Sequence, residues 1–183
     1  MPKTQITAEP GIPQIIITRE FDASRDLVFR AHIEPELLAQ WLGPRDLAMG
    51  IDRYDARDGG IWRYVQTDGQ GNSYGFHGVF HGDPSPDAIV QTFEFEGAPG
   101  HVCLQTATFA GYGTKTLVRT VSSFQSVEDR DAMVASGMER GARDSGDRLD
   151  DLLAKLQARQ LTSRPRAWPG PQAPAPRDET GTD

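Results

Sequence analysis

One helical pattern near the C-terminus constrains the fold more than any other stretch. Between Val127 and Gln160, the residues Met138, Ala142, Ser145, Leu149, Leu152 and Leu156 recur at three- and four-residue steps and share one helix face. Gly137, Gly141 and Gly146 lie beside that stripe, and an interior glycine costs about 1 kcal/mol relative to alanine. A helix that carries such penalties needs the close approach of another backbone, or open space over its surface. The pattern predicts a long helix laid across a sheet, with a hollow beneath its small-residue half.

The preceding residues supply the sheet. Gln14 to Asp22 is β-branched and reads as a strand, with Ile15, Ile17 and Arg19 at one parity. Ser24 is placed to cap a helix running to His32, with Leu27, Val28 and Ala31 inward. Pro35 fits the first turn of a second short helix through Trp41, ended by Gly43-Pro44. The period then becomes alternating: strands are predicted at Leu47 to Tyr54, Gly60 to Thr67, Tyr74 to His81, Ala88 to Glu96, His101 to Phe109 and Thr114 to Phe124. Asp68 to Asn72 carries the glycines of a hairpin turn. Short gaps favour an antiparallel meander. The fold class is α+β, a helix grip: a curved antiparallel sheet around a C-terminal helix, with two short helices after the first strand. Residues 1–13 are expected to form a flexible leader and 14–161 the folded domain. Residues 162–183, rich in proline, are expected to be a disordered tail in which Trp168 is either an exposed aromatic or a docking anchor.

The chain of 183 residues is long enough to bury a substantial core. A formal charge of -7 and scattered arginines argue against nucleic-acid binding. Cys103 has no partner for an internal disulfide and is expected to be a packed thiol. No apolar run approaches the ~20 residues of a membrane span, and no secretory signal is visible, so a cytoplasmic location is expected.

Several pieces then fall into one order: Gln40-Trp41-Leu42-Gly43-Pro44, Asp58-Gly59-Gly60-Ile61-Trp62-Arg63-Tyr64, Gly75-Phe76-His77-Gly78-Val79-Phe80 and Gln91-Thr92-Phe93-Glu94-Phe95. The stretches Ser126 to Met133, Ser136 to Gly141 and Arg148-Leu149 close the series. Over residues 14–156 the chain resembles the SRPBCC superfamily, in the branch similar to the C-terminal domain of the heat-shock-protein-ninety ATPase activators. The resemblance implies the helix-grip fold. That superfamily includes lipid carriers, hormone receptors and polyketide cyclases, so activity stays open. Ala142 and Gly146 stand where relatives often place bulkier residues, and both are expected to enlarge the space under the helix. The eukaryotic activators carry a second, N-terminal domain, to which nothing here is expected to correspond.

Trp62 and Tyr64 alternate onto one side of a strand, as do Phe93 and Phe95 on another. With Met138, Ala142 and Ser145 opposite, they form either an aromatic pocket or a filled core. Trp41 closes one end of that space or plugs the core. His77 offers a hydrogen bond to a bound molecule, or is an ordinary strand histidine. His77 and His81 lie roughly 13 Å apart on a strand, with no neighbouring ligand set, so no metal is implied; neither is a cofactor. The expected ligand site is Trp41, Trp62, Tyr64, His77, Phe93, Phe95, Met138, Ala142 and Ser145, taking a small apolar or aromatic molecule. The alternatives are a cyclase- or hydratase-like enzyme using the same cavity and a chaperone-activating interaction module. No convergent acid–base pair is visible for the former.

Overall fold

The computed structural model describes residues 4–162. Strands β1 (Gln5–Thr7) and β2 (Gln14–Phe21) open the chain, followed by helices α1 (Arg25–Ile33) and α2 (Pro35–Leu38). Six strands follow: β3 (Ala48–Tyr54), β4 (Ile61–Thr67), β5 (Ser73–Val79), β6 (Ala88–Phe95), β7 (Val102–Tyr112) and β8 (Lys115–Ser123). Helices α3 (Val127–Ala135) and α4 (Met138–Thr162) close it. One antiparallel sheet of eight strands runs β1-β2-β8-β7-β6-β5-β4-β3. The meander from β3 to β8 needs only short turns; β2 then pairs along all of β8, from Gln14 opposite Ser123 to Phe21 opposite Thr116. This is the helix-grip α+β architecture.

Register makes the inner face of the sheet. Trp62 pairs with Gly78 and Tyr64 with Phe76, while Phe93 pairs with Cys103. Across the other half, Ile17 faces Thr120, which faces Ala107. Partners in an antiparallel ladder point to the same side, so these rows form one apolar surface. Helix α1 packs Leu27, Val28 and Ala31 against it, and α4 adds Leu149, Leu152 and Leu153. Cys103 is buried, and burial pushes its thiol up to about 12, as a packed thiol requires.

Two expectations about the chain path change. The leader is not loose throughout: Gln5–Thr7 pairs with β2, Thr4 is buried, and Arg143 donates to the Thr4 carbonyl at 3.0 Å. Its short polar sequence carries no apolar period, so edge pairing is invisible in it. The C-terminal helix is also two helices. Gly137 takes φ 83° between α3 and α4, a left-handed conformation that glycine adopts without strain. Trp168 and the proline-rich tail lie outside the described residues.

Candidate ligand-binding cavity

The sheet, α4 and the segment from α1 to Leu42 border a partly open cavity of about 280 Å³. Of the expected site residues, Trp41, Trp62, Tyr64, Phe93, Ala142 and Ser145 line it. Its first wall is aromatic. Trp62 stacks on Tyr64 with centroids 5.3 Å apart and rings 17° from parallel, and lies 6.0 Å from Phe93. Gly78 makes room for this: a Cβ there would meet Trp62 Cζ2 at 2.7 Å. Burial raises the pKa of Tyr64, so its phenol is neutral at pH 7.

The second wall comes from β2, β1 and α4. Arg19 is only 7% exposed; its Nη1 donates to Thr4 Oγ1 at 2.8 Å, and its Nη2 donates to Asp147 at 2.7 Å and to Asp150. Burial opposes the Arg19 charge, but the bonds to Asp150 and Asp147 outweigh it and raise its pKa. Burial also lifts the Asp150 carboxyl, with Arg19 pulling the other way. Gly146 is what lets the helix lie on this guanidinium, since a Cβ there would meet Arg19 Nη1 at 2.5 Å and Cδ at 2.8 Å. Gly146 lines the cavity, as expected, but the space closest to it is taken by Arg19 from β2. At Gly141 a Cβ would lie 3.5 Å from Pro44 Cγ, an ordinary contact.

Polar groups lie along the wall between. Gln91 donates to Gln105 at 3.2 Å, and Thr120 lies in the neighbouring row. His32 closes the end near α1, its ring 4.8 Å from Trp41 and 5.0 Å from Phe109. Its Nδ1 lies 2.8 Å from the Val28 carbonyl and so carries the proton, leaving Nε2 as an acceptor. Burial pushes its pKa down to about 4, so the ring is neutral at pH 7. Tyr54 donates to the His32 carbonyl at 3.2 Å. Trp41 donates to the Ala31 carbonyl at 2.8 Å, so it both borders the cavity and fixes the chain after α2. Ser145 Oγ accepts from the Gly43 amide at 2.8 Å, and Arg148 donates to the Gly43 carbonyl at 3.0 Å. Ser145 and Arg148 thus tie the loop after α2 to the helix.

Three expected residues do not reach the cavity. His77 pairs with Glu94 at the outward parity, and its Nε2 lies 2.9 Å from Glu94 Oε2. There it joins a surface cluster in which Arg63 donates to Glu96 at 2.6 Å and to Asp52 at 3.1 Å. Phe95 packs on Phe76, 5.2 Å away, beyond the cavity's edge. Met138 is the first residue of α4, beside the Gly137 break, and is also not among the lining residues. Conversely, His32, Arg19, Tyr54, Gln91 and Gln105 line the cavity and are missing from the expected set. The parity of Ile15 and Ile17 already pointed Arg19 inward. For the glutamines the signal is the parity they share with Phe93 and Ala107.

Residues 22–154 match the family described as Activator of Hsp90 ATPase homolog 1-like protein. The chain belongs to that family. A protein from Rhodobacter sphaeroides has a similar structure: TM-score 0.76 at 25% identity, covering 84% of this chain and 99% of that one. A protein from Arthrobacter aurescens gives TM-score 0.76 at 24% identity, with 82% and 91% covered. CalU16 from Micromonospora echinospora gives TM-score 0.54 at 20% identity, with 87% and 90% covered. The two below 25% identity establish likeness of fold alone. No curated protein matches the chain significantly. Among the described residues, no helix is long and apolar enough to cross a membrane, and no group of three or more His, Cys, Asp or Glu is arranged to hold a metal.

Proposed function

We propose that this protein binds a small, mostly apolar or aromatic molecule in the cavity between the sheet and α4. The observation that carries this reading is the partly open hollow of about 280 Å³ bordered by Trp62, Tyr64 and Phe93. A dry apolar cavity of about 150 Å³ holds benzene, so this one has room for two fused rings. Burying roughly 200 Å² of ligand surface supplies about 5 kcal/mol before the costs of association. Trp41, Ala142 and Ser145 complete the proposed contact surface. A ligand present at a hundred times its Kd stabilises the fold by about 2.7 kcal/mol, which in a domain of this size raises Tm by roughly 5–10 °C. A panel of naphthalene-sized compounds checks this by thermal unfolding; no shift at saturation from any member overturns it.

A cyclase- or hydratase-like enzyme would use the same hollow, with His32 Nε2 as its available base, in place of the outward His77. An ATPase-activating role would work instead through the outer surface, to which the cavity contributes nothing.

A further inference from the structure

Two residues that line the cavity carry buried donors that nothing answers. Trp62 is 2% exposed and Arg19 is 7% exposed; among the described residues neither the indole Nε1 nor the guanidinium Nε has a hydrogen-bond partner. A buried donor left unpaired costs roughly 1–3 kcal/mol. The second indole bordering the same space, Trp41, does not bear that cost, because its N–H reaches the Ala31 carbonyl. Both orphan groups belong to residues that line the cavity; neither atom is itself exposed to it, so a small turn of the side chain is needed to bring either donor to an acceptor in the hollow.

Charge narrows the chemistry further. The Arg19 guanidinium is already answered by two carboxylates, Asp147 and Asp150. His32 is neutral at pH 7, and no other Lys, Arg or His lines the cavity. An ionised carboxylate entering it would lose its water and find no uncompensated positive charge. We infer that the cavity selects an uncharged apolar ligand carrying a carbonyl oxygen, which accepts the indole N–H of Trp62. This deepens the proposed binding function and rests on it.

The test compares probes of one shape on the full chain: 2-acetylnaphthalene, 2-isopropenylnaphthalene and 2-naphthoate. After correction for hexane–water partition, the ketone binds at least about a hundredfold tighter than the hydrocarbon, because a hydrogen bond referred to an apolar medium keeps most of the strength that competition with water would cancel. The carboxylate binds weakest. Trp62→Phe keeps an aromatic ring, removes the donor and brings ketone and hydrocarbon to the same affinity. Independently of any variant, the infrared carbonyl stretch of the bound ketone falls below its frequency in hexane, so a Trp62→Phe chain that does not fold leaves the inference decidable. Equal binding of ketone and hydrocarbon, with the stretch at its hexane frequency, overturns the inference and leaves the cavity as a binding site. Tightest binding by the carboxylate overturns the neutral class. Binding by none of the three overturns the inference together with the proposed function.

Discussion

The two walls of the cavity are built by opposite means. On one, Trp62, Tyr64 and Phe93 come from β4 and β6, and ring contact holds them, with Phe76 of β5 between Tyr64 and Phe93 behind the wall. On the other, Arg19 joins Thr4, Gly146, Asp147 and Asp150, residues up to 131 positions away from it, through hydrogen bonds and one missing side chain. Loss of a ring from the first wall removes packing and leaves a larger void. Loss of a group from the second strands charges and donors with no partner. A binding cavity with one wall of each kind is apolar enough to drive burial and polar enough to discriminate.

The comparison is broken most directly at Arg19. Arg19→Ala leaves Asp147 and Asp150 facing each other without the cation between them. Removing one partner of a buried pair costs about 3–5 kcal/mol; here the aspartates keep part of their hydration, so about 3 kcal/mol is expected. Urea unfolding measures it, and a loss below about 1 kcal/mol would mean the second wall stands without its ion cluster.

His32 sits where the walls meet, against Trp41 and Phe109 and under the Tyr54 hydroxyl. Its folded pKa is about 4, below its ordinary value of 6.5. The unfolded chain therefore takes a proton that the folded one refuses, and stability falls as pH drops from 6.5 to 4. At 1.36 kcal/mol per pH unit the drop is about 3 kcal/mol. His32→Gln is expected to shrink the pH 7 to pH 4 difference by that amount, read from urea midpoints at the two pH values. An unchanged difference would place the ring in contact with water.

The two helix glycines give the smallest and sharpest test, because the same substitution has opposite signs at them. Alanine is the better helix former by about 1 kcal/mol, so Gly141→Ala, meeting Pro44 at ordinary contact distance, stabilises by up to that amount. Gly146→Ala collides with Arg19; overpacking at about 1–3 kcal/mol cancels the gain and leaves a net loss of about 1 kcal/mol. Thermal unfolding of the pair decides between them. Stabilisation by both would show that Arg19 moves aside freely.

Much of the aromatic wall was legible in the chain, because alternation on a strand is a local property: Trp62 with Tyr64 announces its own face. Which neighbouring residue shares that face depends on register. His77 looked available until its partner proved to be Glu94, which turns it outward. Phe95 has the right parity but lies one step past the end of the hollow, and sequence spacing says nothing about where a cavity stops. The glycines meet the same limit. Space beside the helix was rightly inferred from Gly146, yet nothing local could say that a side chain from β2 would take part of it.

By itself the sequence determined most of the elements and their order: an alternating meander, two short helices beginning after Ser24 and at Pro35, and an amphipathic closing segment, encoded by periods of two and 3.6 residues. Tertiary structure alone decided where the interior is empty and what its polar groups do. Those outcomes depend on pairings across more than a hundred residues, Arg19 with Asp147 and Asp150, Gly43 with Ser145, and no local period carries information over that distance.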